Sequence, residues 1–321
     1  MTEDISDTTA FRLAGGTTVR RLGYGAMQLT GDGVWGDPAD PERARRVLRR
    51  AVELGVDFID TADSYGPEVS ERLIGEALAP YPDDVVIATK AGLVRPGPGE
   101  WVPDGRPDHI RAACEGSLRR LRLERIPLYQ LHRIDPEVPV AESIGAMLEL
   151  RDEGKIDQIG LSEVSVGELR EARRSCDIAS VQNRFNIVDQ DEWSHVVDAC
   201  ERDGIAFIPW FPLGSGDLGR LGGALDQVAA AHGTTRYAIA LAWLLHRSPN
   251  IVPIPGTASL EHLAVNVRAA HLVDEIADAE WELLRSSPGL GARARSTASR
   301  SARRWEATAA GWVGRLRRRS G

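Results

Sequence analysis

Cysteine is scarce. The 321-residue chain has three, Cys114, Cys176 and Cys200, far apart and without a CxxC pair. This excludes a disulfide scaffold or a zinc ribbon and fits a reducing, cytoplasmic setting. No run reaches the ~20 apolar residues of a membrane span. Residues 1–20 lack a signal-peptide core, so neither an integral membrane segment nor secretion is expected. The seven histidines never take HxH or HExxH spacing and the acidic residues are scattered, which leaves no expected metal site. A G-x-S-x-G elbow is missing, which speaks against a serine hydrolase. Excess positive charge is missing too: the net charge is −8, and nine Arg against one Glu put +8 in residues 291–321, leaving about −16 for the first 290. A body so acidic is a poor match for nucleic acid.

What is present is an alternation. Short apolar runs occur at Leu22–Leu29, Val56–Ile59, Val85–Ala88, Ile126–Leu131, Ile156–Leu161, Ile178–Val181, Ile205–Phe211 and Ile251–Ile254. Each is flanked by Gly, Asp or Pro, as buried parallel strands are. Between them lie helix-period segments at Pro41–Leu54, Glu68–Leu78, Asp108–Leu121, Val140–Glu153, Val166–Ser175, Glu192–Asp203, Thr235–His246 and Leu260–Ala269. The first has Asp40 as an N-cap, Pro41 in its first turn and Gly55 as a stop. Eight strands and eight helices predict an α/β fold, a single (β/α)₈ barrel over residues 1–290. Residues 8–20 read as an N-terminal β-hairpin around Gly15-Gly16. Residues 291–321 form a separate basic tail, either a disordered Arg-rich appendage or an amphipathic helix with Trp305 and Trp312 on its stripe.

A doubly wound nucleotide fold would carry a Gly-rich turn after its first strand, and here Gly31–Gly36 lacks that spacing. The one G-x-G-x-x-G match, Gly214 to Gly219, follows a late strand and suits a phosphate-cradling turn at the top of a barrel.

Function in a barrel gathers at the C-terminal strand ends. Those ends supply Asp60 with Tyr65 five residues on, then Lys90, His132, Ser162 and Gln182-Asn183. A strand-end Asp alone caps a helix and a Tyr alone packs a rim. Four such groups from three consecutive strands point to one catalytic site. A lysine ammonium favours the charged form of a neighbouring phenol, so Tyr65 is expected to exchange a proton near neutral pH, with His132 orienting a substrate oxygen.

The stretch Gly55-Val-Asp-Phe-Ile-Asp-Thr-Ala-Asp-Ser-Tyr-Gly66 resembles the aldo-keto reductase signature. So do Thr89-Lys90, Leu131-His132, Ile159-Gly-Leu-Ser-Glu163, Val181-Gln-Asn183, Pro209-Trp-Phe-Pro-Leu213 and Ile254-Pro-Gly-Thr257 with Asn266, in the family's order over roughly residues 10–285. The wording Leu22 to Thr30 and Val181 to Ile187 is most similar to bacterial pyridoxal reductases. The resemblance implies a carbonyl-reducing oxidoreductase with NADPH, NADH being possible, acting on a small carbonyl substrate, pyridoxal among the candidates. It implies that Tyr65 is the general acid, tuned by Lys90 and Asp60, with His132 orienting the carbonyl. Cofactor contacts are implied for Ala26, Met27, Ser162, Gln182, Trp210, Leu213, Ser215, Leu218, Ile254, Gly256, Thr257, Ser259, His262 and Asn266.

Two departures from the family pattern stand out. Gly256 and His262 occupy positions where Lys and Arg often meet the 2′-phosphate, so the preference for NADPH is expected to be reduced. Glu163 stands where many members have Asn and is expected to face the cofactor carboxamide. Trp35 and Trp101 either line the substrate mouth or pack the surface, and Arg133 either meets an anionic substrate group or pairs on the rim. Two rival readings remain, a non-catalytic NADP-binding regulatory barrel and a ketoreductase of sugars or secondary metabolites. The oligomeric state is not legible.

Overall fold

The computed structural model describes residues 10–190, 193–214, 218 and 223–286. The hairpin expected near the N-terminus is present as β1 (Ala10–Arg12) and β2 (Thr18–Arg20), paired antiparallel with Phe11 opposite Val19. Gly16, at φ 91°, makes its turn, and the Leu13 N–H donates to the Thr17 carbonyl at 2.8 Å.

The body alternates strand and helix: β3 (Tyr24–Gly25), α1 (Pro41–Glu53), β4 (Phe58–Asp60), α2 (Val69–Leu78) and β5 (Val86–Ala91). A short side hairpin follows, β6 (Leu93–Val94) and β7 (Val102–Pro103). Then come α3 (Pro107–Leu121), β8 (Ile126–Leu131), α4 (Val140–Asp152), β9 (Ile156–Ser162), α5 (Val166–Ala172), β10 (Ser180–Gln182), α6 (Ser194–Asp203) and β11 (Ala206–Phe207). Four helices end the described chain: α7 (Ala224–Ala231), α8 (Arg236–Arg247), α9 (Leu260–Glu275) and α10 (Asp278–Ser286).

Strands β3, β4, β5, β8, β9, β10 and β11 form one parallel sheet in chain order. The eighth position is held by the chain at Ile251, which meets Phe207 in a single parallel bridge. From there the Val252 N–H donates to Phe207 and the Gly23 N–H to the Pro253 carbonyl at 3.0 Å, closing the barrel. The expected strand Ile251–Ile254 is thus one bridge, because Pro253 has no N–H to give a ladder. The expected strand Leu22–Leu29 is also shorter: after Gly25 it turns into a 3₁₀ helix, Ala26–Leu29. The short helix α10, beyond the expected set, packs Trp281 and Leu284 into the core.

Side chains alternate in and out along each strand. The inward set is apolar at the base: Phe58, Val86, Ala88, Leu128, Ala206 and Val252 pack with Leu13 and Val19, so the hairpin plugs the barrel floor. Two residues further up, the same faces carry Asp60, Lys90, Gln130 and Gln182, all buried. The outward faces pack against the helices in two further clusters. No helix among the described residues is long and apolar enough to cross a membrane.

Candidate active site

Asp60 ends β4 and Lys90 lies near the end of β5. The Lys90 ammonium donates to Asp60 Oδ1 at 2.5 Å, to the Thr61 carbonyl at 2.7 Å and to the Tyr65 hydroxyl at 3.4 Å. Tyr65 reaches this point through a turn that Gly66 makes possible. At φ 105°, a Cβ on Gly66 would lie 2.4 Å from that of Val69. His132 follows β8, its ring 5.8 Å from that of Tyr65 and edge to face with it. Its Nδ1 lies 3.3 Å from the Ser64 hydroxyl. The structure therefore brings Asp60, Tyr65, Lys90 and His132 together.

Burial pushes the Tyr65 phenol above its ordinary value of 10, and Lys90 pulls it back only in part. The expected downward pull of Lys90 is present, but burial outweighs it, so the proton stays on Tyr65. Burial alone would discharge Lys90, yet Asp60 and then Tyr65 outweigh it and hold the ammonium charged. His132 is held well below 6.5 by burial first, then by Lys90, Arg133 and Arg95, so its ring is neutral.

Gln130, inside a run read as apolar, also belongs here. Its Nε2 donates to Asp60 Oδ2 at 3.0 Å, beside Gln182 Nε2 at 2.9 Å. Gly160 leaves the room, since a Cβ there would lie 2.8 Å from Gln130 Cγ and 2.3 Å from Ser180 Oγ. Two residues before His132 on one strand, Gln130 shares its inward face, and that period was the available signal.

Both tryptophans of the expected mouth are present. Trp101 lies 6.4 Å from Tyr65 and 6.5 Å from His132, ring to ring. Trp35 bridges to Gly66, so its loop docks on the turn carrying Tyr65.

The sequence model of the aldo/keto reductase family matches residues 21–287. The chain belongs to that family. It is 49% identical over 256 residues to an uncharacterized oxidoreductase of Schizosaccharomyces pombe, covering 80% of this chain and 83% of that protein. It is 44% identical over 270 residues to pyridoxine 4-dehydrogenase of Escherichia coli, covering 82% and 94%. An aldo-keto reductase of Klebsiella pneumoniae solved with NADPH superposes with a TM-score of 0.74 at 25% identity, covering 86% and 93%. The protein is accordingly a nicotinamide-dependent oxidoreductase of carbonyl and alcohol groups, built on the (β/α)₈ barrel.

The strand ends beyond the tetrad suit a nicotinamide. Gln182 spends its amide hydrogens on Asp60 and Gln130 Oε1, which leaves its Oε1 to accept from a carboxamide NH₂. Ser162 Oγ accepts from Arg133 at 3.2 Å and keeps its own hydrogen to donate. Arg133, expected on a substrate group or the rim, therefore points along the barrel top to Ser162 and the His132 carbonyl. Glu163 differs from expectation. At φ 54°, its Oε1 accepts from the Trp210 indole N–H at 2.5 Å and the Arg184 N–H at 2.7 Å. The indole bond ties Glu163 to the Trp210 ring.

Further along the top, Leu213 is half-buried, while Leu218 is fully buried with its carbonyl held by Arg236 at 2.9 Å. Ser215, expected on the pyrophosphate, lies outside the described residues, as does the tail from 287 on. Ala26 and Met27 open the 3₁₀ turn above β3, where the Ala26 carbonyl accepts from Ser70 and that of Met27 from Thr30. Gly256 packs against that end of β3: a Cβ on it would lie 2.7 Å from the Gly25 carbonyl. Ile254 and Thr257 are buried, Tyr24 donates to the Thr257 carbonyl, and Thr257 Oγ1 accepts from the Ser259 N–H at 3.0 Å. Ser259 caps α9 by accepting from the His262 N–H at 3.3 Å. Asn266 is buried one turn on, its amide bonded to no described residue. The donors here are hydroxyls and a helix N-terminus, which fit an anionic or hydroxyl-rich nucleotide end.

Proposed function

We propose that this protein reduces aromatic aldehydes with NADPH as the preferred cofactor, pyridoxal being the leading substrate. The single observation that carries the reading is the buried Asp60–Lys90–Tyr65 relay opening toward neutral His132. Its support on substrate is the 44% likeness to a pyridoxine 4-dehydrogenase. Bound reduced nicotinamide supplies a hydride at its C4. Everything else falls to the chain. His132, with Nδ1 accepting from Ser64, presents Nε2–H to the substrate oxygen and polarises the carbonyl. Tyr65 gives its proton to that oxygen, and the Lys90 ammonium stabilises the phenolate left behind. Asp60, held by Gln130 and Gln182, keeps Lys90 charged throughout. Ser162, Gln182 and the face of Trp210 hold the nicotinamide, Leu213 to Leu218 the pyrophosphate, and Ala26, Met27 and Ile254 to Asn266 the adenosine end. Alcohol oxidation runs the same steps in reverse, in the cytoplasm, within the barrel of residues 1–290.

Gly256 and His262 offer no fixed cation to a 2′-phosphate. One hydrogen bond to a charged group is worth about 1.5–3 kcal/mol, so losing one such donor lowers the preference for NADPH by about one to two decades. A screen of cofactor oxidation with pyridoxal, simple aldehydes and nucleotide-linked ketosugars, run with NADPH and NADH, tests both points. Pyridoxal turnover with NADPH ahead of a measurable NADH rate is expected. Absence of turnover on every carbonyl contradicts the reductase reading, and undetectable NADH activity contradicts the reading of Gly256 and His262.

A further inference from the structure

Arg95 lies between β6 and β7, on the loop that delivers Trp101 to the mouth, and it is only 9% exposed. Its guanidinium carbon lies over Trp101, 3.5 Å from the ring centre, and 5.4 Å from the ring centre of Trp35. Its N–H groups go to four peptide carbonyls: Glu100 at 2.9 Å, Val34 and Ser64 at 3.0 Å, and Gly33 at 3.5 Å. One side chain thus ties the Trp35 loop, the turn carrying Tyr65 and the Trp101 loop together. All four partners are neutral, and no carboxylate among the described residues forms an ion pair with it.

Asp60 serves Lys90, Asp104 pairs with Arg106, and Asp135 accepts from the Gly105 N–H. Burial alone depresses the Arg95 guanidinium, with no carboxylate opposing it, and its charge is felt at His132. Arg133 differs, because Glu163 offsets its charge. A buried cation without a counter-ion behind an aromatic wall is costly unless a ligand completes it.

We propose that Arg95 is a specificity-determining residue: it braces the Trp35 and Trp101 walls, and its uncompensated charge selects flat aromatic aldehydes that carry an anionic oxygen on the ring. This rests on the reductase reading above, and pyridoxal, with an acidic hydroxyl beside its aldehyde, falls in the class. Arg95 touches no reacting atom, so it acts on KM while Tyr65 and Lys90 keep kcat.

The test compares 3-carboxybenzaldehyde with benzaldehyde, using the full-length protein with NADPH, its Arg95→Gln variant, which keeps donors and loses the charge, and Arg95→Lys, which keeps the charge. The wild type favours the carboxylated aldehyde in kcat/KM by about tenfold. Arg95→Gln brings that ratio near one, with KM raised for both aldehydes as the brace is lost and NADPH affinity within about twofold. Arg95→Lys retains the preference while KM rises for both aldehydes, since one ammonium cannot brace four carbonyls and two rings. A ratio near one in the wild type, or unchanged in Arg95→Gln, overturns the proposal. Titration of tryptophan fluorescence with benzoate reads the same charge without turnover. Binding several-fold weaker in Arg95→Gln supports the proposal and equal binding overturns it, even where failure of both aldehydes to react removes the reductase reading.

Discussion

Tyr65, Lys90 and His132 are all buried, and their protonation follows from what each meets there. The ammonium has a carboxylate at 2.5 Å and stays charged, while the imidazole faces three cations and stays neutral. The phenol is held protonated by burial, which Lys90 offsets only in part. The pH dependence follows with a definite sign. His132 has its charged form disfavoured, so it protonates only well below 6.5, and reduction loses no rate through that region. Tyr65 must be protonated to donate, and its proton leaves only above pH 10, so the alkaline limb of reduction lies beyond that value. A kcat/KM profile for aldehyde reduction is expected to be flat from about pH 6.5 to 9, and an inflection near 6.5 would contradict the neutral His132.

At the scale of elements, the site is held from behind by a second ion pair whose carboxylate is buried. Glu71 of α2, fully buried, accepts from Thr89 of β5 at 2.5 Å and from Arg120 of α3 at 2.7 Å. Arg120→Met leaves that carboxylate buried and unpaired, at a cost of about 3–5 kcal/mol. Chemical denaturation is expected to show that loss, and a change below about 1 kcal/mol would contradict the pairing. None of this was legible in the sequence, because the three residues are brought together only by packing of α2, β5 and α3. What the sequence did show were features with local causes: the Asp40 cap of α1, which accepts from the Arg43 N–H in the structure, and the Gly15-Gly16 turn. Gln130 was hidden in an apolar run, and Glu163 was read by its neighbours in sequence while the fold turned it onto Trp210.

For the whole molecule, the alternation of strand and helix was enough to predict a barrel, and the strand-end rule was enough to gather the four polar groups. Closure was not foreseeable: Pro253 and Pro255 limit the last strand to one bridge, and the hairpin seals the floor with Leu13 and Val19. The described barrel is complete by α10, where Trp281 stacks on His246 at 4.1 Å. Truncation after Leu290 is therefore expected to leave kcat and Tm nearly unchanged. A fall of several degrees in Tm would show that the basic tail docks on the acidic body.

The central claim is that Tyr65 delivers the proton, and Tyr65→Phe tests it most directly. The ring keeps its packing against Trp101 and His132 and loses only the hydroxyl. Steady-state reduction of pyridoxal, or of a simple aldehyde, is expected to fall about 10²–10⁴-fold while NADPH affinity stays within about twofold. Near-normal kcat in that variant would contradict the account.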